Sequence, residues 1–245
     1  MKLLAIETST EACSVALWMD GQVRERYQIA PRRHTELVLP WAGELLAEAG
    51  IVKSQLDAIA VGRGPGAFTG VRLAVALVQG MALALDKPVV PVSTLAALAM
   101  QAVEPGQGSP AAGLDGDDIL AAIDARMGEL YLGLFRRDPE RLLIALGDEW
   151  MALSSQPNIA LASPVLGVGS GFAASSQALV LALGDRLSQV DVGALPHAAD
   201  IARLAALAYA RGEVIAADLL EPAYLRNKVA LTLAEQADAR RDRSA

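Results

Sequence analysis

Ala5-Ile6-Glu7, near the start of the chain, returns as Ala122-Ile123-Asp124 at an offset of 117 residues, and the same offset pairs Leu17 with Leu134 and Trp18 with Phe135. Each half of the sequence opens with an apolar strand, a carboxylate and a hairpin return. Coincidence between two amphipathic hairpins is the plain reading, and a duplicated α/β lobe is the sharper one. In a duplicated arrangement Glu7 and Asp124 sit at facing strand ends beside an interlobe cleft. They are the candidate cleft carboxylates, suited to acid/base work or to holding magnesium; the alternative is that each caps a turn.

Around the first copy, Lys2 to Ile6, Ser14 to Trp18 and Gln22 to Ile29 read as a β-meander whose Asp20-Gly21 step is a strong hairpin signal. Thr35 to Ala49 has helical spacing and stops at Gly50. Leu56 to Val61 is a short strand, followed by a glycine-rich loop from Gly62 to Gly70 and a long apolar helix to about Leu85. Val89 to Val92 is a further strand, and Ser93 or Thr94 caps a helix to about Ala102. A Pro, Gly and Asp stretch then marks a boundary. The expected organisation is an N-terminal lobe at 1–103 carrying partner-binding helices, a linker at 104–118, a C-terminal lobe at 119–235 whose end is free to pack back on the first, and a frayed tail at 236–245. Ile119 to Ile123 and Leu130 to Phe135 open the second lobe.

Composition narrows the chemistry. The 245 residues are 53% hydrophobic and only 4% aromatic, so the core is built from Ala, Leu and Val. Mean hydropathy is +0.34, yet the most apolar stretch, Leu73 to Leu85, is shorter than the about 20 residues of a membrane span and carries Gln79. The N-terminal apolar run meets Glu7 too early for a signal peptide, and a soluble cytoplasmic protein is expected. Cys13 is the single cysteine and only His34 and His197 accompany it, which leaves no cluster of soft metal ligands. Neither histidine is assigned a catalytic role. A net charge of −7 is the wrong sign for gripping a phosphate backbone with the whole surface.

The loop Gly62-Arg63-Gly64-Pro65-Gly66-Ala67-Phe68-Thr69-Gly70 lies between strand and helix, where backbone N–H groups can receive an anion. Arg63, Gly64, Gly66, Thr69 and Gly70 are therefore either an anion-binding set or a structural loop in which glycine permits a tight bend. Gly62-x-Gly64-x-x-Ala67 also satisfies the dinucleotide fingerprint, with Asp86 beyond it, but Pro65 interrupts the turn and the Walker spacing and its Lys are missing. In Gly167-Val168-Gly169-Ser170-Gly171 the residue two before the serine is Val168, so the nucleophile-elbow pattern fails.

The two helices point to a partner. On the first, the apolar residues from Val38 to Ala49 cover an arc of about 160°, wider than the roughly 100° that covers a sheet. On the second, Arg72, Gln79 and Asp86 mark an outer face in which Val75, Ala76 and Leu83 also stand. Leu39, Ala42, Leu46, Arg72, Val75, Ala76, Gln79 and Leu83 are the candidate interface. Ordinary packing of the two helices on each other is the alternative.

Residues 5–17, Gly62 to Arg72, Ala122 to Glu129 and Glu221-Pro222-Ala223-Tyr224-Leu225-Arg226 together resemble the TsaB (YeaZ) family. The resemblance implies an actin-like (ASKHA) α/β fold of two ribonuclease-H-like lobes, each with a mixed sheet and flanking helices. It also implies a non-catalytic subunit that supports a TsaD-like transferase in forming threonylcarbamoyladenosine next to the anticodon of tRNAs reading codons that begin with adenine. A TsaE-like ATPase joins them in a ternary complex, tRNA is met only through the complex, and a homodimer is the other candidate assembly. TsaD-like proteins hold a metal through His-x-x-x-His; here Thr94 and Leu98 stand at those places, and Glu7-Thr8-Ser9-Thr10 has no glycine for a phosphate hairpin. No metal and no cofactor are expected. The rivals are a catalytic nucleotide-dependent transferase or kinase of the same fold and, more remotely, a dinucleotide-binding oxidoreductase.

Overall fold

The computed structural model describes residues 1–102 and 118–226. Most of the expected linker, the last residues of the second lobe and the tail at 236–245 lie outside the described residues. Asp118, expected to end the linker, already belongs to a strand.

Strands β1 (Lys2–Glu7), β2 (Ala12–Met19) and β3 (Gln22–Ile29) form the antiparallel meander. Its second turn uses Asp20 at φ 50° and Gly21 at φ 87°, the left-handed pair that a two-residue hairpin requires. Helix α1 (His34–Glu48) leads to β4 (Ala58–Gly62), α2 (Phe68–Leu85), β5 (Val89–Val92) and the short α3 (Thr94–Ala99). Ser93 is the N-cap of α3, its hydroxyl accepting from the Ala96 N–H at 3.0 Å. The second half runs β6 (Asp118–Arg126), β7 (Glu129–Asp138), β8 (Leu142–Ala145), β9 (Trp150–Leu153), β10 (Val165–Val168), α4 (Ala174–Leu183), β11 (Leu187–Asp191) and α5 (Ala198–Ala210).

The duplication is visible in the connectivity. The first sheet has the order β3-β2-β1-β4-β5 and the second β8-β7-β6-β10-β11, with the same antiparallel meander and the same two parallel additions. β8 pairs one end of β7 and β9 the other, so the two share the edge that β3 holds alone.

Each sheet is covered on both faces, but the covering helices are exchanged. On the first sheet, Leu4, Ile6, Val15 and Leu17 meet Val38 and Leu45 of α1 and Val71 and Val78 of α2. Its other face, Leu3, Ala5, Ala16, Ala58 and Ala60, is closed by Ala198, Ile201, Ala202 and Ala205 of α5, from the far end of the sequence. Conversely α3, which follows the first sheet in the chain, sends Leu95 and Leu98 against Ile119, Ala121 and Phe135 of the second. Leu179 and Leu183 of α4 close the opposite face. Alanine on alanine lets α5 lie close to its sheet, which is how a chain poor in aromatics fills its core.

Helix α2 is long and apolar enough to cross a membrane by length and composition. Its buried residues Val71, Ala74, Val75, Val78 and Ala82 belong to the core of the first lobe.

Candidate functional site

At the end of β1 the chain turns through Thr8 and Ser9 directly beneath the glycine-rich loop. Glu7 is 1% exposed. Its Oε1 accepts from the Ser9 N–H at 2.6 Å and its Oε2 from the Thr94 hydroxyl at 3.1 Å, while Thr94 Oγ1 in turn accepts from the Gly64 N–H at 3.1 Å. Burial pushes the Glu7 carboxyl above its usual range, and the hydrogen bonds from Ser9 and Thr94 oppose that rise. Thr8 donates to the Gly70 carbonyl at 2.7 Å, and the Ala67 N–H donates to the Ser9 carbonyl at 2.7 Å.

This close approach explains the glycines. A Cβ at Gly62 would lie 1.8 Å from Glu7 Oε2, one at Gly66 2.6 Å from the Ser9 carbonyl oxygen, and one at Gly70 2.0 Å from that of Thr8. Gly64 has φ +100° besides. The space between turn and loop is filled by the chain itself, where an anion-binding loop would need a hollow. Arg63 is exposed and its carbonyl accepts from the Ala223 N–H at 2.8 Å; Thr69 is also exposed. Leu98, at the second of the two histidine places, lies in the core against the second sheet. Among the described residues no group of three His, Cys, Asp or Glu is placed to hold a metal ion.

Asp124 occupies the equivalent corner of the second sheet under different conditions. Its side chain is 25% exposed and accepts from Arg126 twice, from the backbone N–H at 2.8 Å and from the guanidinium at 3.0 Å. Ser170 Oγ accepts the Asp124 N–H at 3.2 Å, a capping role in place of a nucleophile's. Gly169 and Gly171 press on Ala122 here as the first loop presses on Thr8 and Ser9. The expected pair of open cleft carboxylates therefore does not form, because Glu7 is sealed beneath the loop with one oxygen held by Ser9 and the other by Thr94.

The helix face needs a correction too. Ala42, Leu46 and Val75 are 4%, 4% and 5% exposed and belong to the first core, so they are not the open face the sequence suggests; Ala42 and Leu46 still form part of the lining of the groove beside Leu39. Most of the wide arc of α1 is taken up by the first core, through Val38, Ala42, Leu45 and Leu46, and Leu39 is left outside it. Leu39, Ala76 and Leu83 remain exposed, joined by Phe68, Gly80 and Ala84. Leu39 also rims an apolar groove between α1 and α2 whose wall includes Met81 and Leu85.

Two further polar clusters are built by contacts between residues distant in sequence. The segment Ala217 to Arg226 runs back along α2 and across to the second sheet. Gln79 donates to the Leu220 carbonyl at 3.0 Å, Arg72 Nε to the Tyr224 hydroxyl at 2.6 Å, and Arg226 to the Ala125 carbonyl at 3.0 Å and to Glu129 at 2.5 Å. At the start of α5, Glu25 accepts from the Ala199 N–H at 2.9 Å and pairs with His197 at 3.0 Å, and the His197 ring stacks on Tyr27 at 4.1 Å. Burial lowers the His197 pKa, but the Glu25 hydrogen bond and charge outweigh it and the net shift is upward. Asp200, 2% exposed and paired with Arg203 and Gln101, is pushed up to about 6 by burial. His34 is structural: its Nε2 lies 3.1 Å from the carbonyls of both Thr10 and Ala12.

Two lobes of identical strand order, exchanging helices across their junction, define the class as actin-like α/β. The model of the family "TsaD: tRNA N6-adenosine threonylcarbamoyltransferase" matches residues 27–232. A tRNA threonylcarbamoyladenosine biosynthesis protein TsaB of Escherichia coli is 39% identical over 94% of this chain and 96% of its own length. That of Haemophilus influenzae is 39% identical over 94% and 95%. The solved structure of YeaZ from Pseudomonas aeruginosa shares 42% identity and a TM-score of 0.80, covering 91% of this chain and 99% of its own. The chain belongs to the TsaB (YeaZ) family.

Proposed function

We propose that the chain is the non-catalytic subunit of tRNA threonylcarbamoyladenosine formation, holding a TsaD-type transferase on the outer face of α2. The observation that carries this reading is the state of α2. Only Val71, Ala74, Val75, Val78 and Ala82 are buried in an 18-residue apolar helix, and Leu83 is 66% exposed. So apolar a surface is uncommon on a protein that works alone. The groove beside Leu39 extends the surface toward α1. The rival reading as a nucleotide-dependent transferase or kinase is disfavoured by the filled space between Thr8, Ser9 and the loop.

The complex works in the cytoplasm, with a TsaE-type ATPase as third member and tRNA bound through the assembly. A second copy of the chain occupies the same face when the transferase is absent. The test is reconstitution: this chain with the transferase of the same organism, followed by light scattering and a tRNA modification assay. Ala76→Arg and Leu83→Glu bury a long charge in any interface on α2, and their exposure leaves the fold intact by circular dichroism. Loss of association in both supports the reading; unchanged association, or modification by this chain alone, overturns it.

A further inference from the structure

One arginine on the α2 face is held in a way its neighbours are not. The Arg72 guanidinium carbon lies 3.5 Å from the Phe68 ring centroid and 5.3 Å from that of Tyr224. Phe68 precedes it by one helical turn, and Tyr224 arrives on the returning segment, 152 residues away in sequence. The Tyr224 hydroxyl takes the Arg72 Nε–H at 2.6 Å. Stacking together with this hydrogen bond fixes the plane of the guanidinium before anything binds. Among the described residues Arg72 has no acidic partner. Its two terminal nitrogens are the donors still available, and they form a planar fork suited to a carboxylate. Phe68 is 56% and Tyr224 53% exposed, so the clamp stands at the surface.

Aromatic and Arg anchors set in apolar surroundings are the side chains that dominate interface energetics. Ala76, one turn along α2 from Arg72, is exposed, and Leu219, farther along the returning segment, is 65% exposed, so the two elements that build the clamp also carry apolar surface. An apolar margin fits a protein partner. The alternative ligand for such a fork is an RNA phosphate, which the net charge of −7 disfavours.

We infer that Phe68, Arg72 and Tyr224 form a preorganised anchor that receives an Asp or Glu side chain of the transferase subunit, making the Ala217 to Arg226 segment part of the docking surface. This inference rests on the reading under Proposed function. The experiment is titration calorimetry of this chain with the transferase subunit of the same organism at low and high salt, with melting temperatures recorded for every variant. Arg72→Ala weakens association roughly 30-fold and flattens its salt dependence. Arg72→Lys rescues little, because an ammonium neither stacks nor forks. Tyr224→Phe, which keeps the ring and loses the hydroxyl, gives a smaller loss. Unchanged affinity in Arg72→Ala, or full rescue by Arg72→Lys, overturns the inference while the accessory role stands. A melting temperature that falls in Arg72→Ala with affinity unaltered also overturns it, since the clamp then only ties the segment down. Loss of direct tRNA binding by Arg72→Ala with transferase binding intact overturns it in favour of RNA. If the wild-type chain fails to bind the transferase at all, the accessory reading falls and this inference with it.

Discussion

The corner after β1 and the corner after β6 share a strand order and a glycine-containing loop pressed against the strand end, yet they treat their acids in opposite ways. Glu7 is sealed beneath the loop and held by Ser9 and Thr94; Asp124 stays at the rim and pairs with exposed Arg126. The difference begins in the turn that follows. Thr8 and Ser9 fold under Gly66 and Gly70, whereas β6 passes into β7 through a tight hairpin with Met127 at φ 59° and Gly128 at φ 78°. A duplicated scaffold thus fixes where an acid sits. The turn and the crossing neighbours decide whether it can meet solvent.

The largest effect is expected of Gly70→Ala, whose new methyl would lie 2.0 Å from the Thr8 carbonyl oxygen. Backbone must move, and a loss of about 3 kcal/mol or more is expected in urea unfolding. Gly128→Ala meets open space and carries only its positive φ, so it costs about 1 kcal/mol. Equal losses at the two positions would show that the first loop is not packed as described.

Next in size, Glu7→Ala leaves the Ser9 N–H and Thr94 hydroxyl without their acceptor in a sealed site, costing about 2–4 kcal/mol. Asp124→Ala removes a rim pair with an exposed arginine and costs less than about 1 kcal/mol. Thermal melts of both variants check the contrast.

Acidification tests the buried groups together. Asp200 binds its proton more tightly in the folded chain, near pH 6 against an ordinary 3.8. Its destabilising effect is therefore absent at pH 3.8 and below, and grows as pH rises to about 6. The stabilising His197–Glu25 pair is intact below the ordinary histidine value of 6.5 and is lost as pH rises through the higher folded value. Between pH 8 and pH 5 stability should rise on acidification, on the order of 1–3 kcal/mol. Asp200→Asn should flatten the part between pH 4 and 6, and a melt series that leaves that part unchanged would assign it to other groups.

The smallest effects come from the hydroxyls that brace the two corners. Thr94→Val frees both the Gly64 N–H and a Glu7 oxygen and should cost about 1–2 kcal/mol. Ser170→Ala frees a single Asp124 N–H and should cost about 1 kcal/mol or less. Paired melting curves read the two directly.

What the sequence discloses here is local. The meander, the Asp20-Gly21 turn, α1 and β5 follow from periodicity and turn chemistry within a few residues, and the offset of 117 discloses the duplication. The environment of Glu7 is illegible because its cage comes from residues up to 87 positions away. The same holds for α1: most of its apolar arc reads as surplus until the first core is seen to take up Val38, Ala42, Leu45 and Leu46, leaving Leu39 outside. The alanines of α5 suit either sheet equally, so no pattern announces which one they cover. Ala217 to Arg226 has no periodicity, and its course along α2 rests on single contacts such as Tyr224 with Arg72.

The exchange of helices between the sheets bears on how this chain is made. When the ribosome has delivered β1 to β5, the alanine-rich face of the first sheet has no cover, because its helix ends at Ala210. Meanwhile α3 exists but the sheet it packs on does not. Each half can close one face of its sheet with its own helices but not the other, so the remaining burial comes late and across long sequence separations, the regime in which folding is slow and exposed sheet invites association. A fragment cut between the sheets is for the same reason two incomplete objects, each carrying the other's missing layer.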